Sequence, residues 1–149
     1  MNGGRGVTDG GPLFTVIVPT FGRPAQLPGC LDALARLTAP PGGFEAVVVD
    51  DGGPDPLDAV VAPFAARLDV RLIRQANAGP GPARNAGAAV ARGRFLAFTD
   101  DDCRPDPGWL VALADRFAET PDALLGGRTV NLLARNRYAA ASQLIVDLV

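Results

Sequence analysis

At 149 residues, 48% of them hydrophobic and 20% charged, the chain has the size and balance of one globular domain with its own core. Its 14 basic side chains are all arginine, with no lysine and no histidine, which excludes a Walker-type phosphate loop, Schiff-base chemistry and any nucleophile that depends on an imidazole. A net charge of −2 gives no electrostatic footprint for nucleic acid or an anionic membrane, so chemistry must run on carboxylates, arginine, hydroxyls, backbone amides or a hard metal ion.

The first residues, 1–13, are glycine-rich without an apolar stretch and read as a flexible leader rather than a signal peptide. From Phe14 on, β-branched runs alternate with stretches of helical period, the pattern of repeated β-α units on a mostly parallel sheet. Phe14–Val18 is a buried strand stopped by Pro19. A helix is expected from about Pro24, with Leu27, Leu31, Leu34 and Leu37 on one face, ending at the Pro-Pro-Gly-Gly of 40–43. Glu45–Val49 is a second strand running into Asp50-Asp51-Gly52-Gly53. Leu57, Val60, Val61 and Phe64 mark a second helix face, and Val70–Arg74 alternates as a third strand.

A Gly/Pro turn at 78–82 leads to a third helix, expected from Pro82 to Gly93. Arg94–Phe98 is a fourth strand that delivers the chain to Thr99-Asp100-Asp101-Asp102. Asp106-Pro107 reads as an N-cap with proline at N1, opening a helix that buries Trp109 or Leu110, Leu113, Ala114 and Phe117. Beyond it, Leu124–Val130 is expected as a strand and Tyr138–Val149 as a helix. Because that helix ends on apolar residues without a cap, the chain is expected to be an incomplete part of a larger domain. No apolar run reaches the ~18 residues of a membrane span, and Cys30 and Cys103 form no metal-binding pair, which fits a reducing cytoplasm.

Acidic or glycine-rich clusters follow strands one, two and four, and in an open α/β sheet the carboxyl ends of strands line the ligand crevice. Asp100-Asp101-Asp102 is the strongest. Three adjacent carboxylates repel by roughly 1 kcal/mol per close pair even in water, and a hard divalent ion such as Mg²⁺ or Mn²⁺ offsets that repulsion. A solvated acidic loop capping the next helix is the plain alternative, but Asp106 already fills the cap position.

Asp50-Asp51-Gly52-Gly53 serves equally as a turn or as a base or ribose site. The segment Asn77 to Asn85 fails as a dinucleotide fingerprint, because Arg84 holds the third glycine position and Asp51 precedes the loop instead of following it. It reads better as a tight turn into a helix whose first turn presents Arg84 and backbone N–H groups to an anion. Pro19-Thr20-Phe21-Gly22-Arg23-Pro24 would place a hydroxyl, an aromatic face and a guanidinium beside a nucleotide. Trp109 and Phe117 are expected in the core, and Cys103 as a small filler.

With these residues assembled, the chain resembles the nucleotide-binding half of the family 2 glycosyltransferases. The resemblance rests on FTVIVPTFGRP, EAVVVDDGG, NAGPGPARNAG and GRFLAFTDDDCRPDPGWL, in family order and spacing, from Phe14 to the C-terminus. It implies a Rossmann-like GT-A fold, a three-layer α/β/α arrangement with a mostly parallel sheet, residues 14–149 forming the donor half. Pro19, Thr20, Phe21 and Arg23 would border the nucleotide, Asp51 with Asp50 beside it would bind the base or ribose, and Arg84 would contact the base or diphosphate. Asp100 and Asp102 match the family's D-x-D motif, Asp102 as the direct ligand of Mn²⁺ or Mg²⁺ and Asp100 as a sugar or metal contact, with Asp101 grouped among the substrate-binding residues.

The implied function is metal-assisted, inverting transfer from a nucleotide-diphospho-sugar donor to an acceptor that the sequence does not identify. Such domains continue for roughly another 80–120 residues that supply the acceptor site and a carboxylate base, still an ordinary domain size. Asp147 is the only acidic residue past Val130 and matches no motif for that base. A non-catalytic nucleotide-sugar-binding module, or an inactive fragment, is therefore the alternative. A nucleotidyltransferase would want a glycine-rich basic loop after strand one, while an aspartyl phosphohydrolase or phospho-receiver domain would want a lysine.

Overall fold

The computed structural model describes residues 10–127. Strand β1 (Phe14–Thr20) is buried along its whole length. It pairs in parallel with β2 (Phe44–Asp50), Phe14 opposite Phe44 through Thr20 opposite Asp50, and with β4 (Phe95–Phe98), Phe14 opposite Phe95 through Ile17 opposite Phe98. β2 in turn pairs in parallel with β3 (Val70–Arg74), which gives the sheet order β3-β2-β1-β4.

Pro19 does not stop β1, and the reason is directional. The Ile17 carbonyl accepts a hydrogen bond from Thr99 N–H (3.2 Å), whereas the Thr20 carbonyl accepts from Asp51 N–H (2.9 Å). Alternate residues of β1 thus turn their backbone polar groups toward opposite neighbours. Pro19 would donate toward β4, whose pairing has already ended at Phe98, so its missing N–H costs no ladder bond.

The alternation places two apolar sets on the two faces. Phe14, Val16, Val18, Ala46, Val48 and Ala97 pack with α1 (Leu27–Ala35), the short α2 (Asp58–Val61) and α4 (Trp109–Glu119). Ile17, Val47 and Val49 pack with Ala83 on α3 (Pro80–Val90). Helices on both sides of a parallel sheet make the expected three-layer α/β/α architecture. Where α3 crosses the sheet, a Cβ on Gly87 would come within 2.6 Å of Ile17 Cγ2 and 3.1 Å of Val49 Cγ2, so glycine sets how close the helix lies.

Helix boundaries depart from the sequence reading in instructive ways. α1 starts at Leu27, with Pro28 rather than Pro24 in its first turn; Leu27, Leu31, Leu34 and Leu37 are all buried, as their spacing requires. α2 is a single turn that tightens into a 3-10 turn at Ala62–Phe64, because Pro63 supplies no backbone N–H. α3 begins at Pro80 and ends at Val90, where Ala91 is already extended. α4 starts at Trp109, two residues after the expected Pro107, and Asp106 closes the turn that leads into it: its carboxylate accepts from Gly108 N–H at 2.8 Å and its carbonyl from Trp109 N–H at 2.9 Å. Leu110 is fully buried, with Trp109, Leu113, Ala114 and Phe117 packed partly against the core.

The end of the glycine-rich leader is anchored. Leu13 N–H donates to the Gly42 and Gly43 carbonyls, and the Pro12 carbonyl accepts from Arg94 N–H. After α4, residues 124–127 carry no strand; the remainder of the strand expected to Val130, the helix expected over Tyr138–Val149 and leader residues 1–9 lie outside the described residues.

Candidate nucleotide and metal site

The connection order creates the site. From β1 the chain steps outward to β2 and β3, then returns past β1 to β4, so the order reverses between β1 and β4. In open parallel sheets a crevice opens there, at the carboxyl ends of the strands. Here those ends are Pro19-Thr20-Phe21 on β1 and Thr99-Asp100-Asp101-Asp102 on β4. Thr20 Oγ1 donates to Asp101 Oδ2 at 2.7 Å, tying the two ends together. Arg23 Nη2 stands 2.8 Å from Asp101 Oδ1 as an ion pair, without the alignment of a hydrogen bond.

The three aspartates divide by exposure. Asp101, grouped with the substrate-binding residues by sequence, is instead fully buried and spends its carboxylate on Thr20 and Arg23. Burial pushes its pKa up; the Thr20 hydrogen bond and the Arg23 charge oppose the shift without cancelling it. Asp100 and Asp102 are exposed. Their carboxylates and the Cys103 thiol offer one ligand atom each within 4.8 Å of one another. The turn is held by Cys103 N–H donating to the Asp100 carbonyl at 3.0 Å.

Two exposed carboxylates side by side fit a hard divalent ion, leaving other positions to water or phosphate. Cys103 is the poorer donor, because its soft sulfur suits a hard ion badly; burial raises its thiol pKa, and the charges of Asp102 and Asp100 add to the rise. It donates instead to Asp102 Oδ1 at 3.8 Å. Arg84, on α3, pairs with Asp100 (Nη2 to Oδ1, 2.9 Å), and Arg23 reaches Asp102 (Nη1 to Oδ2, 3.5 Å). Phe21, just after β1, is half exposed, and Pro19 within β1 is buried.

Asp50 and Asp51 are both buried and already bonded. Asp50 accepts from Gly53 N–H (3.0 Å) and pairs with Arg74 (3.0 Å), whose Nη2 also donates to the Gly53 carbonyl (2.6 Å). Asp51 accepts from Gln75 Nε2 (2.7 Å), Asn77 Nδ2 (3.2 Å), Ala78 N–H (3.0 Å) and Gly79 N–H (2.8 Å). The bonds from Gln75, foremost, and from the Ala78 and Gly79 N–H groups hold its pKa below the ordinary carboxylate value, against the opposing effect of burial. Gly52 lets the two loops close: its φ is 80°, and a Cβ there would sit 2.7 Å from Asn77 N.

This narrows the expectation of free backbone N–H groups at the start of α3. Ala78 and Gly79 give theirs to Asp51, Ala83 gives its own to the Gly79 carbonyl, and Pro80 and Pro82 have none, which leaves the N–H of the exposed Gly81 in the first turn. Anion contact at this helix therefore falls to the Gly81 N–H and the Arg84 side chain. Arg74, Gln75 and the Asn77 amide were not foreseen as site-building residues. Their signal was positional, since Arg74 ends β3 opposite Asp50 and Gln75 and Asn77 follow it.

Among the described residues, no helix is long and apolar enough to cross a membrane. The family described as Glycosyl transferase family 2 matches residues 15–146. Validoxylamine A glucosyltransferase of Streptomyces hygroscopicus subsp. limoneus is 34% identical over 145 residues, 95% of this chain and 32% of that protein. The PGL/p-HBAD biosynthesis glycosyltransferase of Mycobacterium tuberculosis (strain ATCC 25177 / H37Ra) is 35% identical over 137 residues, 89% of this chain and 53% of that one.

Among solved structures, S. aureus TarS 1-349 in complex with UDP-GlcNAc superposes with a TM-score of 0.67 at 30% identity, covering 78% of this chain and 36% of that one. Mannosyltransferase PcManGT from Pyrobaculum calidifontis, in complex with GDP-Man and Mn²⁺, gives 0.65 at 28% identity, covering 72% and 32%. The chain thus spans about a third to a half of the length of these relatives. With four family segments in register on a GT-A type α/β/α sheet, the chain belongs to glycosyl transferase family 2.

Proposed function

We propose that this chain is the donor-binding portion of a glycosyltransferase, taking a nucleotide-diphospho-sugar together with Mn²⁺ or Mg²⁺ for transfer to an acceptor hydroxyl with inversion. What carries the reading is the pair of exposed carboxylates, Asp100 and Asp102, standing together at the carboxyl end of β4 where the strand order reverses. The relatives add support, because TarS is described with UDP-GlcNAc and PcManGT with GDP-Man and Mn²⁺.

In this reading Asp102 holds the metal directly and Asp100 reaches the metal or the sugar. A metal bound there supplies Lewis-acid neutralisation of the departing diphosphate. Arg84 and Arg23 contribute guanidinium forks suited to phosphate oxygens. Asp51 shapes the base pocket by holding residues 75–79, Asp50 does the same for the Gly52-Gly53 turn, and Pro19, Thr20 and Phe21 border the nucleotide. The transfer forms a bond from acceptor oxygen to the anomeric carbon and breaks the bond from that carbon to the diphosphate. No general base for the acceptor proton is assigned among the described residues.

Calorimetric titration of UDP, GDP and dTDP into the 149-residue chain, with and without Mn²⁺, tests the proposal. One diphosphate should bind more tightly with the metal present. Equal binding of all three in both conditions, or none, would refute it.

A further inference from the structure

Each carboxylate of the Asp100/Asp102 pair has its own arginine. Arg84 Nη2 lies 2.9 Å from Asp100 Oδ1, and Arg23 Nη1 lies 3.5 Å from Asp102 Oδ2. All four side chains are between 38% and 53% exposed, so the pairs sit in high dielectric and are weak enough to exchange. The arginines are held differently: Arg23 is also anchored to the buried Asp101 at 2.8 Å, whereas Arg84 is carried by α3 from the other face of the sheet. Glu45 shows the contrast, since it is fully buried and fixed by Thr15, Arg71 and both backbone and side chain of Arg92.

We propose that Arg23 and Arg84 are exchangeable counter-ions, which neutralise Asp102 and Asp100 while the site is empty and pass to the donor diphosphate when a divalent cation takes the carboxylates. This rests on the donor-site reading above, in which metal and diphosphate already attract each other, and adds a share of that coupling carried by the two arginines. A cation arriving without nucleotide must displace two guanidiniums, Arg84 losing its Asp100 partner outright and Arg23 keeping only Asp101. A diphosphate arriving without metal must draw the same guanidiniums from the carboxylates and leave those facing its own charge. When both arrive, each relieves the other's penalty, so metal and nucleotide favour each other's binding by the same factor.

Mn²⁺ binding to the full chain, followed by the free-ion electron paramagnetic resonance signal, reads this out without any turnover. It is measured without nucleotide and at saturating UDP, or whichever diphosphate the calorimetry selects. The variants are Arg84→Gln, Arg23→Gln and the double substitution, with Arg67→Gln, whose guanidinium pairs with Asp32 on α1, as the control for net charge.

In the double variant, affinity for Mn²⁺ alone should rise roughly threefold to tenfold, the range expected for removing exposed ion pairs. The enhancement by diphosphate should shrink by about the same factor, the remainder coming from direct attraction between metal and diphosphate; Arg84→Gln alone should show part of both effects, and Arg67→Gln should show neither. Unchanged affinity for Mn²⁺ alone, or an undiminished enhancement in the double variant, overturns the exchange while leaving the donor site intact. Absence of Mn²⁺ binding in every protein, with or without diphosphate, overturns the donor-site reading and the exchange with it.

Discussion

Thr20 and Asp101 lie 81 positions apart in the chain and are joined by a 2.7 Å hydrogen bond, with both residues buried. That bond fastens the carboxyl end of β1 to the loop after β4. It holds the middle residue of the acidic triplet inward so that Asp100 and Asp102 turn outward.

Asp101→Ala should lose about 1–3 kcal/mol of stability, the usual cost of stranding a buried hydrogen-bonding partner, seen as a lower urea midpoint. Asp101→Asn keeps an acceptor for Thr20 and should lose less. Because burial raises the Asp101 pKa, its contribution is complete below its ordinary 3.8 and declines as pH rises through the folded value. The cost of Asp101→Asn should therefore be smaller at pH 7 than at pH 4.

Asp51→Asn replaces an acceptor of four hydrogen bonds with a side chain that has one acceptor oxygen and an amide pointed at donors. The loss should be about 1.5–3 kcal/mol, since bonds to a charged group are broken. Hydrogen exchange should localise it, with the amides of Ala78 and Gly79 exchanging much faster than those of β1. Equal protection in variant and parent would contradict the role given to Asp51.

At the opposite end of the sheet, Glu45 is fully buried opposite Thr15, whose hydroxyl donates to it at 2.8 Å. Burial alone would raise its pKa. Hydrogen bonds from Arg92 and Thr15 and the charge of Arg71 outweigh that and hold it below its ordinary 4.5. A carboxylate lowered in this way contributes fully above about pH 4.5 and less as pH falls through the folded value. Glu45→Gln should lose about 3 kcal/mol at pH 7, and the loss should shrink in acid. Urea melts at pH 7 and pH 4 check both.

Gly87→Ala sets helix propensity against packing. Alanine gains about 1 kcal/mol over glycine in a helix interior, but the new Cβ meets Ile17 Cγ2 at 2.6 Å. Over-packing at such contacts costs about 1–3 kcal/mol, so the variant should be net destabilised, and thermal unfolding decides the sign.

Most of the architecture was legible because its signals are local. β-branched runs marked β1 to β3, the short apolar run Phe95–Phe98 marked β4, and the leucine spacing marked the buried face of α1. The boundaries that shifted depended on tertiary context: Pro19 continues β1 only because β4 has ended beside it, and that is invisible in the local sequence. The same holds within the site. The acidic triplet and Asp50-Asp51 were recognisable as clusters, but which carboxylates face outward depends on Thr20, Arg23, Gln75 and Asn77. These meet the aspartates only when the strands assemble.

The most direct measurement is Mn²⁺-dependent diphosphate binding to the parent chain and to Asp102→Ala. The account predicts that binding in the parent is strengthened by Mn²⁺, and that Asp102→Ala removes at least about tenfold of that strengthening, equivalent to roughly 1.4 kcal/mol. It also predicts that the metal-free affinity does not fall, since Arg23 is released from Asp102 and one repelling carboxylate is gone. An Asp102→Ala protein that binds metal and diphosphate as the parent does would contradict it.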